Sequence, residues 1–255
     1  MNPRLAKQLI YGFFYLLILG LITLVIWYYY DRILPTPTCF DNLQNQEETG
    51  VDCGGPCVPC EVSTLQPFDV YWRKVLSADE NQSAVVAEIR NPNSNFGADF
   101  FEYTFNIYGE NNQKIGSING ESFIYPSEIK YLMEVGGKIK PQDVVNIELS
   151  FDKISWKSKE EFPKPQMQIR DIKTEADQPI LLTAIIKNES SYALSKIKII
   201  GFVFNRFGLR IGVSKTELNR LSPFQETTFK IVFPNTINSS EINLDATKVF
   251  VEVKR

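Results

Sequence analysis

The chain has 255 residues, 44% of them hydrophobic, with 27 basic side chains against 30 acidic ones. Its mild acidity argues against a nucleic-acid function. It contains no histidine, which removes the commonest general base and metal ligand, and with them any Ser-His-Asp or Cys-His pair.

Near the N-terminus, Leu9 to Tyr30 runs 22 residues without a charge, with two glycines and one threonine among Leu, Ile, Phe, Val, Trp and Tyr. At about 1.5 Å per residue a helix of this length reaches roughly 33 Å, enough to cross the hydrocarbon core of a bilayer. In lipid a helix satisfies its own backbone polar groups, so the run predicts a transmembrane helix over 9–30 whose partner is membrane lipid. Arg4 and Lys7 precede it, while Asp31 and Arg32 follow and cancel. The positive side is therefore residues 1–8, expected in the cytoplasm, with the rest outside. Trp27 to Tyr30 cluster at the exit, where amphipathic rings favour the headgroup layer. A cleaved signal peptide is the rival reading, but its apolar region would be about 7–15 residues and end in small residues. A buried core helix fits less well, because the run has no polar face. Beyond the run, 25 basic residues face 30 acidic ones, a net charge of −5, and that length suits one or two domains.

A proline-bearing stalk over 31–38 leads to Cys39, Cys53, Cys57 and Cys60, the four cysteines of the chain. An even, clustered set in an outer compartment reads as disulfides, with three connectivities open. Gly54, Gly55, Pro56 and Pro59 supply the tight turns that such a knot needs. Cys57-Val-Pro-Cys60 also has the C-x-x-C form of a thiol-disulfide oxidoreductase, although no βαβ pattern surrounds it. Zinc on the four thiolates is a further reading, without the two paired C-x-x-C arms usual for it. Asp41, Asn45, Glu47 and Asp52 offer oxygen ligands for calcium, yet their spacing is not that of an EF-hand loop. A solvated polar loop is the plainer reading of the same residues.

The stretch Cys39 to Cys60 resembles a short cysteine-rich module of many bacterial secreted and surface proteins, of the form C-x-D-G-x-x-N-x-x-E-T-G-V-D-C-G-G-x-C. Glu48-Thr-Gly-Val-Asp-Cys-Gly-Gly55 matches its core, while Asn42 stands where the module has glycine. The resemblance implies a surface context and no catalytic role.

The remainder reads as two copies of one unit. Ala87-Glu-Ile-Arg-Asn91 answers to Ala184-Ile-Ile-Lys-Asn188 at an offset of 97, and Lys114-Ile-Gly116 to Arg210-Ile-Gly212 at 96. Tyr125-Pro126 answers to Ser222-Pro223 at 97, and Ile147-x-Leu149 with Lys153-Ile154 to Ile242-x-Leu244 with Lys248-Val249 at 95. A period this long predicts tandem domains rather than a solenoid. Phe101, Tyr103, Phe105 and Ile107 alternate with Glu102, Thr104 and Asn106, as in a strand with one wet face. Val85, Ala87 and Ile89 are expected inward and Val86, Glu88 and Arg90 outward in the strand before. Thr227, Phe229, Ile231 and Phe233 repeat the pattern. Short strands at regular spacing predict a sandwich of about 90 residues per copy. The boundaries are then 39–60 for the cysteine module, 61–158 and 166–255 for the sandwiches, and a semi-extended linker over 159–165 carrying two prolines.

Each copy also resembles small immunoglobulin-like bacterial domains of the FxLYD type, and more loosely the late-embryogenesis-abundant type-two sandwich. The resemblance rests on Asn91-Pro92, Phe105-Asn-Ile-Tyr108 and Ile115-Gly116, and again on Asn188-Glu-Ser190, Phe204-Asn-Arg-Phe207 and Ile211-Gly212. Gly109 and Gly208 depart from the usual acidic residue of that motif. It implies a binding or spacer domain.

Phosphate-binding glycine motifs are missing, and Glu160-Glu161 falls in the linker. Lys187, Lys196 and Lys198 read as protection of exposed strands, and Phe202, Phe204 and Phe207 as core. Asn81, Asn188 and Asn238 begin N-x-S sequons, which the bacterial resemblances make incidental. The expected fold class is mainly β: two tandem immunoglobulin-like β-sandwiches after a transmembrane helix and a small disulfide-rich module. The expected function is that of a single-pass, membrane-anchored extracytoplasmic binding or spacer protein. It is expected to need no cofactor, to carry no enzyme activity and to engage a protein or envelope partner that the sequence does not identify. The alternatives are an oxidoreductase using Cys57 and Cys60, or a metal-binding module at 39–60.

Overall fold

The computed structural model describes residues 3–33, 38–79, 82–136 and 139–254. They fall into two compact units, Met1–Leu65 and Gln66–Arg255.

In the first unit, helix α1 spans Pro3–Ile33, a few residues beyond both ends of the expected membrane run. Within it Lys7–Tyr29 has a mean hydropathy of 2.6, and every residue of it is exposed. By length and composition this segment is able to cross a membrane or act as a signal anchor. Thr23 donates its hydroxyl to the carbonyl of Gly20 at 2.8 Å, so this hydroxyl is satisfied within the helix. Leu9 and Trp27 are both exposed, and the rings of Tyr28 and Tyr29 meet edge to face at 5.2 Å. The side chain of Tyr30 and stalk residues 34–37 lie outside the described residues.

The second unit is mainly β. Its strands are β1 Asp69–Asp79, β2 Gln82–Arg90, β3 Phe96–Tyr108, β4 Lys114–Ile124, β5 Ile129–Val135 and β6 Asn146–Ser158. There follow β7 Met167–Glu175, β8 Leu181–Asn188, β9 Leu194–Asn205, β10 Arg210–Leu221, β11 Glu226–Val232 and β12 Ile242–Glu252. They form four antiparallel three-stranded sheets, with strand orders β1-β2-β5, β4-β3-β6, β11-β8-β7 and β10-β9-β12. Strand for strand, the last two sheets have the same order as the first two.

These sheets stack face to face as β-sandwich layers. Val85, Ala87, Ile89, Phe101, Phe105 and Leu132 close the space between the first two. Leu182, Ile186, Ile199, Val203, Phe229 and Ile231 do so between the last two. A third cluster joins Leu76, Ala84, Val86, Tyr131 and Met133 to Ile200, Phe202, Phe204 and Val213. The outer face of β1-β2-β5 therefore packs on that of β10-β9-β12, and both inner sheets are buried on two sides.

This layering corrects one expectation. Val86 falls on the wet side of a simple alternation, but it is fully buried in the third cluster. Strands covered on both faces read as continuous apolar runs rather than alternations, as in Ala84-Val-Val-Ala87 and Ile199-Ile-Gly-Phe-Val-Phe204.

Asn91 and Asn188, at equivalent positions, are both fully buried. The Asn91 amide donates to the carbonyls of Phe96 and Tyr125, and the Asn188 amide to those of Tyr192, Leu221 and Ser222. Each carbonyl oxygen accepts a backbone N–H two residues on. One side chain thus satisfies several turn groups that strands leave unpaired.

The segment read as a linker carries Phe162, which is buried and stacked on Tyr125 at 4.3 Å. Phe202 and Phe204 are buried as expected, but Phe207 is 81% exposed. It sits on the β9–β10 turn, past the last residue that either core reaches.

Candidate functional site

Two places gather polar side chains: the cysteine module in the first unit and the seam between the inner sheets in the second.

In the module, Cys39 pairs with Cys57 and Cys53 with Cys60. All four cysteines are used. Cys57 and Cys60 each bond a different partner, so the C-x-x-C is not itself a disulfide. Gly54 and Gly55 take positive φ of 79° and 57°. A Cβ on Gly54 would meet the side chain of Thr49 at 1.9 Å, so the turn requires glycine.

Carboxylates fix the backbone around these bonds. Asp41 accepts from the backbone N–H of Thr38 and Leu43 and from the amide of Asn45. Asp52 accepts from the backbone N–H of Asp41 and Asn42. The backbone N–H of Thr38 and the Asn45 amide hold the Asp41 carboxyl below its ordinary value, as donors to an ionised group do.

Of the proposed calcium ligands, Asp41, Asn45 and Asp52 join this network; Glu47 is exposed and forms no part of it. The buried carboxylate is its neighbour Glu48, 6% exposed, which accepts from the N–H of Asn45 and Asp52. Glu48 stands in the matched Glu-Thr-Gly-Val-Asp core, and that was the available signal. Asn45 Oδ1 is buried without a donor. Cys39, Glu48 and Cys57 converge within 4.8 Å. Their two sulfurs are bonded to each other and have no thiolate to offer a metal.

At the seam, Arg210 of β10 reaches across to the other inner sheet. Its guanidinium pairs with Glu88, donates to the Tyr131 hydroxyl at 3.1 Å and lies 4.6 Å from the centre of the Trp72 ring. Burial, with Glu88 beside it, pushes the Tyr131 hydroxyl up to about 12.

Alongside lies a cleft of about 260 Å³, lined by Phe123, Tyr125, Met167, Ile169, Ile200 and Val251 among others. Lys130 enters it with a side chain 5% exposed, paired to Glu252 at 3.2 Å and 3.4 Å from the centre of the Phe123 ring. Burial lowers its ammonium below the ordinary lysine value, against the opposing pull of Glu252. Lys164 pairs with Glu128 at 2.6 Å on the rim. Tyr125 donates its hydroxyl to the carbonyl of Val253 at 3.0 Å. Paired charges over apolar walls hold surfaces together; here they tie the first six strands to the last six. The repeat marked Arg210 without giving it a role, and nothing pointed to Lys130, because the seam brings together strands far apart in the chain.

No protein-family model matches the chain, and no curated protein matches it. Among solved structures, a transglutaminase of red sea bream is similar over 74% of this chain and 31% of its own, at 11% identity and a TM-score of 0.22. The chain thus spans about a third of that protein's length, and so distant a likeness carries no argument.

Proposed function

We propose that this chain is a single-pass, membrane-anchored protein that binds or spaces a partner outside the cytoplasm and carries no catalytic activity. Residues 1–8 lie in the cytoplasm on this reading, and the sheets form two tandem immunoglobulin-like sandwiches of a surface protein of the bacterial kind. The observation that carries it is the pairing of an apolar helix, unburied over Lys7–Tyr29, with a module closed by two disulfides a few residues beyond it. Disulfides persist in oxidising compartments, and Arg4 and Lys7 favour the cytoplasm for the other end. Both facts point the same way. A tag at the C-terminus tests the orientation: in intact cells an added protease should remove it, and full protection would overturn the proposal.

A second reading has one observation in its favour. Asn45 Oδ1 is buried without a donor, while the amide nitrogen of the same side chain donates to the Asp41 carboxylate; a cation would satisfy that free oxygen. Calcium should then raise the melting temperature of the module and a chelator lower it; indifference to both would dispose of that reading.

A further inference from the structure

The turns Tyr125-Pro-Ser-Glu128 and Ser222-Pro-Phe-Gln225 are built alike. In each, the fourth residue donates its N–H to the carbonyl of the first at 3.2 Å. In each, a side-chain oxygen of the fourth accepts the N–H of the first at 2.8 Å. The third residue has a positive φ, 56° at Ser127 and 58° at Phe224. Proline second and positive φ third mark a type II turn, which favours glycine or asparagine at that third place. A bulky residue there is a steric outlier. Phe224 nevertheless occupies it and is 63% exposed. Ser127 makes the same turn, so the fold does not require an aromatic ring.

The position of this turn in the second unit is informative. Gln66, where the chain arrives from the helix, exchanges hydrogen bonds with Asn93. The N–H of Ser127 bonds the carbonyl of Asn93, so the 125–128 turn shares that end. Tyr125 reaches Val253 just past β12, and Asn188 is bonded to Gln225. Glu252 pairs in register with Lys198, and Arg220 with Ser195. Phe224 therefore projects at the end of the unit where the chain from the anchor enters.

Charge agrees. Arg220, two residues before the turn, and Lys196, next to Arg220's strand partner Ser195, are exposed and have no carboxylate partner among the described ion pairs. The nearby Glu226 and Glu189 are paired to Arg170 and Lys187.

We infer that Phe224, flanked by Arg220 and Lys196, docks on the anionic headgroup surface of the bilayer that the helix spans. Tethering makes the contact intramolecular in effect, so a weak one suffices. A ring at headgroup depth beside cations is an interfacial anchor. The inference rests on the membrane-anchored reading.

The test uses the full chain with Phe224→Trp, in nanodiscs of phosphatidylcholine with or without phosphatidylglycerol and with brominated acyl chains. Subtracting the unsubstituted chain's emission isolates the new indole. We expect a blue shift and loss of its emission to bromine, greater with phosphatidylglycerol. Phe224→Asn suits the turn, so it should keep the melting temperature while abolishing the slower amide exchange of residues 222, 224 and 225 in such discs. Unquenched, water-like emission at 224 with Trp27 quenched overturns docking but leaves the anchor. Quenching at neither overturns both. A blue shift without bromine quenching, in discs holding two copies, assigns the surface to self-association and overturns the lipid contact.

Discussion

The cysteine module and the sheet body reach order by opposite means. The body buries Phe101, Phe105, Phe202, Phe233 and many aliphatic side chains to 1% exposure or less, and each such burial contributes about 1.5–3 kcal/mol. In residues 38–65 the buried side chain is the carboxylate of Glu48. So short a segment cannot enclose a core, and it depends instead on two cross-links and on carboxylates bonded to its backbone. Each region is therefore vulnerable to a different insult.

The largest effect is expected in the body. Phe105→Ala should cost about 3–5 kcal/mol through the cavity it leaves, lowering the melting temperature of the sheets. Mass spectrometry after alkylation should still find both disulfides. Reduction, or replacing Cys53 and Cys60 by Ser, should cost the module about 2–5 kcal/mol. Amide exchange should then rise across 38–65 while β2 and β9 stay protected; loss of protection in both regions would mean that they fold as one.

Arg210→Ala probes the seam. Its side chain is 21% exposed, and removing it leaves Glu88, 15% exposed, without its partner, so the expected loss is about 3 kcal/mol. Splitting of one melting transition into two would show that the seam is what couples the sheet pairs. The smallest effect is acid titration of the module. The Asp41 carboxyl is held below its ordinary 3.8 in the folded chain. Its contribution is thus present above that value and lost as pH falls through the lower folded one. Faster exchange of the Thr38 and Leu43 amides in that acid range is expected, and Asp41→Asn should flatten the dependence.

Sequence periodicity was enough to locate α1, the cysteine cluster and the strands around Phe101–Ile107, because those features are local. Asn91 and Asn188 already stood at matching places in the repeat, but only the turns folded around them explain why. The seam was hidden. Alternation was expected in β2, and Val86 breaks it because a distant sheet covers its face. Phe207 failed in the other direction, being apolar yet beyond the reach of any core. Glu48 was hidden for a different reason: among several acidic neighbours, the three-dimensional turn chose which carboxylate to enclose.

The stacking of the sheets sets how far the body extends. Strung end to end, the two sheet pairs would make a long arm. Packed face against face, they share one height, set by strands such as the 13-residue β3, or about 40 Å at 3.3 Å per residue. The second pair adds girth rather than reach.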